Sequence, residues 1–561
     1  MSEVPVTDEL PVTDALPALT AALENGRSAV LVAPPGAGKT TRVPLALLNS
    51  SWLAGRRIVM LEPRRLAARG AATYMARLLG ERIGDSVGYR IRHEAKVSRA
   101  TRIEVVTEGV LTRMLVGDAT LEGIGAVLFD EFHERSVHAD AGLAMTLQAR
   151  ALVRADLRIL VMSATLDAAP VAALLDNAPV ISSEGRSYPV ETHYLDAPII
   201  GPYEATAART VRRALESDAG DVLVFLPGAG EINRVFDQLG ELHETLRVHR
   251  LHGSLTQQEQ DAALAAAPAG MRKVVLASAI AETSLTIEGV RIVIDSGWMR
   301  VPRFSARIGM TRLATARITR ASADQRRGRA GRTAPGVCYR LWTRGENASL
   351  LPHGVPEILE ADLAPLVLDL AAWGVSDPNE LQWLDPPPAG AHAQAVELLR
   401  ALRALDDAGA ITPHGRALAG LPVHPRLGHM LRRAAESGAL DVACTIAALI
   451  EERDILRVPG EAADPDLLLR LDAVRGRSVI GASIDRGSSA RVQRTAGDLH
   501  ERMMRMSGAA DVSRTPDTAP HHALSAGELL ALAYPDRVGL ARGARGGFIL
   551  RYGRGARVPP H

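Results

Sequence analysis

Short, uninterrupted apolar runs recur along the first 300 residues, and each run ends in a polar or glycine-bearing turn. In the first half they occupy residues 29–32, 57–61, 103–106, 126–129 and 159–162. After a turn-rich stretch the pattern restarts, with runs at 222–226, 248–251, 273–277 and 291–294. Such runs, separated by helix-compatible segments, are typical of strands buried on both faces of a parallel sheet. The pattern predicts two successive doubly wound α/β sheets whose polar chemistry lies at the carboxyl ends of the strands.

Beyond residue 356 the apolar positions follow a helical period. They predict helices over 358–373 and 393–405, a turn at 409–412 and a further helical module that begins with 425–456. A polar, proline-bearing stretch near 507–522 has the composition of a linker. The tail from residue 529 predicts a helix followed by short strands.

The composition is that of an ordinary globular chain with several domains, because 47% of the 561 residues are hydrophobic and 23% are charged. The net charge is only +1, so the overall charge does not by itself predict a polyanionic partner. Two cysteines are too few for a disulfide framework or a cysteine-ligated zinc site. The N-terminus lacks the regions of a signal peptide, and there is no 18-residue apolar run. We therefore expect a cytoplasmic protein without a membrane partner, and a monomer.

The first apolar run leads into residues 33–40, which read Ala-Pro-Pro-Gly-Ala-Gly-Lys-Thr and precede a helix-compatible segment. Strand, glycine turn, lysine, hydroxyl and helix form the signature of a phosphate-binding loop, although Ala33 replaces its usual first glycine. Small residues allow the backbone amides to surround a triphosphate at the start of a helix. The predicted nucleotide-binding residues are Pro34, Pro35, Gly36, Ala37, Gly38, Lys39, Thr40 and Thr41. The alternative is a Gly/Pro-rich surface turn.

Acidic and hydroxyl side chains follow two later strands of the same predicted sheet. Asp130 and Glu131 end the run at 126–129, where an aspartate is expected to anchor Mg²⁺ with Thr40 and the glutamate can polarise an attacking water. Ser163 and Thr165 follow the run at 159–162, beside the expected γ-phosphate position.

Two clusters of arginine allow more than one interpretation. Arg64 and Arg65 follow the second strand, where they either contact phosphates or form a solvated helix start. Arg326, Arg329 and Arg332 recur every third residue, which predicts one shared helix face with a triphosphate as its counter-charge. The alternative for this second cluster is a solvated or nucleic-acid-binding basic helix.

These motifs, in this order between about residues 30 and 335, resemble the DEAH-box ATP-dependent helicases of superfamily 2. The box Asp-Glu-Phe-His at 130–133 and the segments 62–69, 107–114 and 185–190 resemble the bacterial HrpB type in particular. The resemblance implies two tandem RecA-like parallel-sheet domains followed by a winged-helix domain, a helical ratchet-like bundle and the start of a β-rich domain. The corresponding boundaries are 1–190, 191–355, 356–422, 423–510 and 511–561, the last including the linker.

The resemblance also implies roles for individual residues. Glu131 is the catalytic base, His133 communicates with the water-placing Gln325, and Arg329 and Arg332 are arginine fingers. The residues implied to hold the metal are Thr40, Asp130 and Glu131. Ser163 and Thr165 are implied to couple the nucleotide state to nucleic-acid binding. The residues implied to contact the sugar-phosphate backbone of a single strand are Arg64, Arg65, Thr107, Gly228 and Thr283. Ala279 replaces an asparagine that the family commonly has, and residues 303–313 fit a strand-splitting β-hairpin.

The function expected from this resemblance is a helicase that uses Mg²⁺ with ATP as substrate and moves 3′ to 5′ on single-stranded RNA, with DNA as the other option. A second hypothesis is an ATP-gated nucleic-acid clamp that hydrolyses ATP without separating strands. The presence of Glu131 and both finger arginines argues against a purely structural protein.

Overall fold

The computed structural model describes residues 10–91, 94–164, 167–185, 188–240, 243–282, 287–305, 310–452, 454–458, 464–508, 524–543, 546–551, 553 and 555–557. The chain divides into two compact units. Unit 1 comprises Met1–Leu366 and Asp377–Ala391, and unit 2 comprises Val367–Ser376 and His392–His561. The linker predicted near 507–522 falls mainly on residues 509–523, outside the described ranges.

The secondary structure alternates strands and helices up to residue 343 and is mainly helical afterwards. The strands are β1 Ser28–Val32, β2 Arg57–Glu62, β3 Val87–Ile91, β4 Glu94–Lys96, β5 Ile103–Thr107, β6 Ile124–Phe129, β7 Arg158–Ser163, β8 Val180–Ser182, β9 Val190–Leu195, β10 Asp221–Phe225, β11 Leu246–Leu251, β12 Arg272–Ala277, β13 Val290–Asp295, β14 Trp298–Ser305, β15 Met310–Arg317, β16 Gly336–Thr343, β17 Leu456–Arg457, β18 Ser483–Ile484, β19 Gly539–Ala541, β20 Gly547–Leu550 and β21 Gly555–Arg557. The α-helices are α1 Leu16–Asn25, α2 Lys39–Leu47, α3 Arg65–Leu78, α4 Glu108–Gly117, α5 Val137–Leu152, α6 Ala168–Leu174, α7 Glu204–Ser217, α8 Ala229–Leu239, α9 Gln257–Leu264, α10 Arg320–Arg327, α11 Arg344–Ala348, α12 Ala364–Trp373, α13 Ala389–Ala401, α14 Pro413–Ala419, α15 Pro425–Glu436, α16 Leu440–Glu451, α17 Leu467–Val474, α18 Arg486–Gly508 and α19 Ala526–Ala533.

The first sheet of unit 1 has the order β4-β3-β5-β2-β6-β7-β1-β8 among the residues that the structure describes. All neighbouring strands are parallel except β3 and β4. The register places Val32 opposite Ser163 and Glu62 opposite Thr107, so the strands end in line. The phosphate loop, the segment after β2 and the acidic box all leave this one edge, as expected for a parallel sheet.

The second sheet of unit 1 has the order β11-β12-β10-β13-β16-β9, with every pair parallel. Its central strands are the predicted apolar runs, and β10 is buried along its whole length. β9 and β16 were not predicted, because β9 alternates buried and exposed positions and β16 carries charged and polar residues. Two parallel sheets in tandem confirm the predicted fold class of this half.

β14 and β15 form an antiparallel hairpin in the region where the sequence predicted one. Trp298 pairs with Arg317 at its base and Ser305 with Met310 near its tip. Leu313 is 65% exposed on this hairpin.

Unit 2 is helical, with small antiparallel sheets, as predicted. Its core joins residues of α15, α16, α17, α18 and α19. Arg426 of α15 is buried and donates to both carboxylate oxygens of Asp536, at 2.5 and 3.0 Å, which fixes the segment after α19 to the bundle. β19, β20 and β21 follow as a three-stranded antiparallel sheet within the described part of the tail.

Candidate active site

The phosphate loop connects β1 to α2 and begins α2 with a left-handed glycine. Gly38 has φ 92° and is the N-cap of α2, and Gly36 has φ 86°, a conformation that suits glycine. The Ala33 N–H donates to the Ser163 carbonyl at 2.9 Å, which ties the start of the loop to the end of β7. The predicted loop residues therefore lie at the edge of the first sheet, beside the predicted coupling residue Ser163.

Lys39 and Glu131 form a buried ion pair, with Lys39 Nζ 2.9 Å from Glu131 Oε1 and both side chains about 4% exposed. Burial lowers the pKa of Lys39, but the carboxylates of Glu131 and Asp130 outweigh it and raise that pKa above its usual range. Burial alone would raise the pKa of Glu131, whereas the Lys39 ammonium and His133 bring it down to about 2. Both groups are therefore charged in this arrangement, and the glutamate holds the lysine that a triphosphate would attract.

Thr40 and Asp130 bring two side-chain oxygens together where the sequence predicts a Mg²⁺ site. Thr40 Oγ1 donates to Asp130 Oδ2 at 2.5 Å, and Asp130 Oδ1 accepts the Glu131 N–H at 2.8 Å. In the part of the chain that the structure describes, no three His, Cys, Asp or Glu residues form a metal-binding group. The pair fits Mg²⁺, which takes one or two protein oxygens and completes its shell with phosphates and water.

Glu131 has an unusual backbone conformation, with φ 48° and ψ 35° in the left-handed region. A non-glycine residue there costs free energy, and such residues concentrate at functional sites. Glu131 Oε2 is buried and accepts no hydrogen bond within the described ranges. His133 Nδ1 lies 3.4 Å from this oxygen and accepts the Ala164 N–H at 3.4 Å, and His133 Nε2 lies 3.1 Å from Gln325 Nε2. The His133 ring therefore lies between Gln325 of α10, in the second domain, and the proposed base.

Arg329 and Arg332 approach the same place from the second domain of unit 1. A Cβ atom added to Gly36 would lie 3.6 Å from Arg332 Nε, so this guanidinium lies against the phosphate loop. Arg329 is buried, and its Nε donates to the Glu282 carbonyl at 3.2 Å. Burial, followed by repulsion from Arg332, lowers the pKa of Arg329 well below its usual value, and burial lowers that of Arg332 to about 10. Both cations would gain from a polyanion in the cleft.

The prediction that Arg326 shares a helix face with these two arginines is wrong. α10 ends at Arg327, so Arg329 and Arg332 lie beyond the helix. Arg326 is almost fully buried and donates to Glu282 at 2.8 Å and to Asp295 at 2.9 Å. These two carboxylates outweigh the effect of burial and raise the pKa of Arg326. Its counter-charge is therefore supplied inside the second domain, and no triphosphate is required.

Four of the five predicted nucleic-acid residues lie at or just after strand ends, in different environments. Arg64 Nη1 donates to the Ala279 carbonyl at 2.6 Å, and its Nη2 lies 3.3 Å from the Glu134 carboxylate, so Arg64 connects the two domains. Arg65 is exposed at the start of α3. Thr107 is the half-buried N-cap of α4, and Gly228 is the N-cap of α8 with extended backbone. Thr283 and Thr165 lie outside the described residues.

Glu62 is a buried acid at the site that sequence reasoning treated only as part of a motif. It ends β2, which is next to β6 in the sheet, and its side chain is fully buried. Burial and the neighbouring carboxylates of Asp130 and Glu131 raise its pKa well above the usual range. Burial and repulsion from these two carboxylates therefore oppose ionisation of Glu62. The signal available in the sequence was its position at the end of an apolar run, where Asp130 and Glu131 also stand.

Glu108 is a second buried acid, located directly after Thr107. Its carboxylate oxygen Oε2 accepts the Ser136 hydroxyl at 2.5 Å, in the loop that follows the acidic box. Burial raises its pKa from the ordinary 4.5 to about 8. Between pH 4.5 and about pH 8, Glu108 is therefore protonated in the folded chain and ionised in the unfolded chain.

We expect Glu108→Gln to make unit 1 less sensitive to alkaline pH. A raised carboxyl pKa means that stability is fully present below pH 4.5 and falls as pH rises towards 8, by about 1.4 kcal/mol per pH unit. Glutamine keeps the shape and the acceptor but cannot ionise. Thermal unfolding of both proteins from pH 5 to pH 9 should give a difference in stability that grows in favour of the variant up to about pH 8. A difference that stays constant with pH would contradict this.

Comparisons with known proteins agree with these motifs. Residues 14–174 match the family model "DEAD/DEAH box helicase", and residues 206–334 match "Helicase conserved C-terminal domain". The chain is 42% identical to the ATP-dependent RNA helicase HrpB of Escherichia coli over 539 residues, which cover 96% of the chain and 62% of that relative. Residues 14–174 and 206–334 therefore carry the two domains of a DEAD/DEAH-box helicase.

Other matches extend this domain assignment. Residues 395–423 match the "Helicase associated domain (HA2), winged-helix", a range that overlaps the predicted winged-helix domain at 356–422 in all but its last residue. The crystal structure of E. coli DEAH/RHA helicase HrpB aligns with a TM-score of 0.83 and 40% identity over 98% of the chain and 66% of that structure. The splicing factor ATP-dependent RNA helicase prp22 of Schizosaccharomyces pombe is 36% identical over 78% of the chain and 38% of its own length.

The chain spans about three fifths of the length of HrpB. Both helicase domains, which hold every described active-site residue above, lie within the matched part. Across the described ranges, no helix combines the length and apolarity needed to cross a membrane.

Proposed function

We propose that this chain couples ATP hydrolysis to movement along a single strand of nucleic acid. The observation that carries the proposal is the polar contact from Gln325 through His133 to Glu131, which joins the second domain to the base at the phosphate loop of the first. Arg332 reaches the loop from the same side. A site built from two domains can hydrolyse ATP only when they are correctly apposed, which is the requirement for coupling hydrolysis to motion.

In the proposed reaction, the triphosphate binds the amides of the loop and draws Lys39 away from Glu131. Glu131 then loses the ammonium that lowers its pKa most and becomes a stronger base, oriented by His133. It accepts the proton of the attacking water, which Gln325 helps to place. Arg329 and Arg332 offset the negative charge of the transferring phosphoryl group. Thr40 and Asp130 would hold Mg²⁺, which neutralises charge on the phosphate oxygens.

The strand is proposed to lie across the edges of both sheets, on Arg64, Arg65, Thr107, Gly228 and Thr283. Arg64 supports a link between strand and chemistry, because it contacts Glu134, three residues from the base, and the Ala279 carbonyl of the second domain. A phosphate that competes for this guanidinium would loosen both contacts. Ser163, which accepts from the phosphate loop, and Thr165 are proposed to transmit the nucleotide state.

Single-stranded RNA is the proposed substrate, because the curated relatives HrpB and prp22 are named as RNA helicases. Movement from 3′ to 5′ is proposed from the family resemblance, and a cytoplasmic location is proposed because two cysteines fit a reducing compartment. The second candidate is an ATP-gated clamp that hydrolyses ATP without unwinding. The β14–β15 hairpin favours the motor, since an antiparallel ribbon with an exposed apolar Leu313 suits a wedge that separates strands.

A duplex-unwinding assay distinguishes the two candidates. The substrates are RNA duplexes with a 3′ overhang, a 5′ overhang or blunt ends, and the corresponding DNA duplexes, with the Lys39→Ala variant as an inactive control. We expect the unchanged protein to unwind, in the presence of ATP, only the RNA duplex with a 3′ overhang. The Lys39→Ala variant should unwind none of the duplexes. ATP hydrolysis without unwinding of any duplex would favour the clamp. Unwinding of DNA at the same rate would make the substrate proposal too narrow.

A further inference from the structure

Residues 10–15 pass over the outer side of the phosphate loop. The Val12 N–H donates to the Ala37 carbonyl at 3.0 Å, and Pro11–Ala15 form a short 3-10 helix. Val12 is fully buried and Ala37 is 2% exposed. Val12 and Ala15 belong to the same hydrophobic core as Leu31 of β1 and Ala37. We call residues 10–15 the strap.

The strap determines the orientation of one peptide group in the loop. The carbonyl of Ala37 and the N–H of Gly38 belong to the same planar trans peptide, so they point in opposite directions. Because Val12 holds the carbonyl on the outer side, the Gly38 N–H is directed to the inner side of the loop. Amides on the inner side are the donors that a phosphate-binding loop offers to its ligand.

A second contact keeps the strap close to this peptide. A Cβ atom added to Gly38 would lie 2.7 Å from Leu10 Cδ1 and 3.2 Å from Leu10 Cβ, so Leu10 covers the outer face of this glycine. Gly38 has φ 92°, a conformation that tolerates rotation of the adjoining peptide groups when nothing holds them. The strap therefore supplies a restraint that the glycine itself lacks.

We propose that Val12 is a positioning residue for nucleotide binding: its backbone N–H fixes the Ala37–Gly38 peptide so that the Gly38 amide faces the phosphates. This inference rests on the proposed ATP-binding function of the loop. Val12 does not touch the nucleotide, and its effect is transmitted through a single hydrogen bond. Since the amide serves ground state and transition state alike, the loss should weaken binding and leave the chemical step unchanged.

The test compares Val12→Pro, which removes the N–H at similar side-chain volume, with Val12→Ala, which keeps the N–H and loses only packing. Loss of one such hydrogen bond should raise the KM for MgATP about 3- to 10-fold and the Kd for ADP by a similar factor, with kcat changed less than 2-fold. Any rise in KM or Kd with Val12→Ala measures the contribution of packing. The rise in KM or Kd with Val12→Pro must be at least 3-fold larger than that. Equal effects of the two variants, or a fall in kcat alone, would overturn the proposal.

Amide hydrogen exchange of the unchanged protein provides a second readout if Val12→Pro does not fold. We expect the Val12 amide to be protected both without nucleotide and with ADP. Exchange at the rate of an unprotected amide would overturn the proposal. A wild-type protein that binds no ADP would contradict the proposed function as well, whereas normal ADP binding with an unprotected Val12 amide would contradict only this inference.

Discussion

Glu131→Gln is expected to abolish ATP turnover while the protein still binds ATP. Glutamine has nearly the same shape as glutamate but cannot accept a proton, and loss of a general base typically costs about 10² to 10⁴ in rate. In the free protein Glu131 also holds Lys39 at 2.9 Å, so the substitution releases this lysine for the phosphates. We therefore expect kcat to fall at least 10²-fold, with the Kd for ATP unchanged or lower.

The measurement is single-turnover hydrolysis together with ATP titration. Glu122→Gln is the matched control, because it makes the same chemical change at an exposed position in the segment before β6. Glu122→Gln should keep the hydrolysis rate and the Kd for ATP within 2-fold of the values of the unchanged protein. Normal turnover by Glu131→Gln would contradict the assignment of the base, and loss of ATP binding would show that the glutamate mainly organises the phosphate site.

Arg329→Ala is expected to lower ATP turnover by about 10³ or more with little change in nucleotide affinity, as for an arginine finger. Arg329 is buried, and its pKa is lowered by burial and by Arg332. In the protein without nucleotide, the positive charge at this position is therefore unfavourable in free energy. A buried guanidinium of this kind stabilises most strongly the negative charge that develops on the phosphoryl group in the transition state. The substitution should therefore affect the transition state far more than the bound ground state.

Arg327→Ala is the control for this second prediction. Arg327 is the last residue of α10, and its side chain is 43% exposed with Asp324 at 4.0 Å. We expect turnover within a few-fold of the unchanged protein. If Arg329→Ala weakens ADP and ATP binding as much as it slows turnover, Arg329 holds phosphates and does not act as a finger. Thermal unfolding of each variant shows whether the domain is still folded.

The apolar runs predicted the central strands correctly, because strands covered on both faces must be apolar at nearly every position. β16 was missed because it contains Arg340, which lies buried in the sheet. Asp324, at 2.7 Å, supplies its counter-charge from α10. A buried charge is tolerated when a partner compensates it, and that partner is invisible to a local reading of the sequence.

The candidate site was predicted residue by residue where motifs end buried strands. Lys39, Thr40, Asp130 and Glu131 meet because parallel strands share a carboxyl edge. The prediction for Arg326 was wrong because periodicity indicates a helix face but does not indicate where the helix ends. Glu62 was missed for a different reason: its position beside Asp130 follows from the order of the strands in the sheet, which the sequence does not contain.

The most direct test of a motor coupled to nucleic acid is the ATPase rate of this chain without polynucleotide, with single-stranded RNA and with single-stranded DNA, at one fixed low salt concentration. Strong stimulation by RNA, and weaker stimulation by DNA, is the predicted result, and it should disappear in Lys39→Ala. Turnover that neither polynucleotide changes would contradict the coupling between the strand and the Gln325–His133–Glu131 contact, and would favour the clamp.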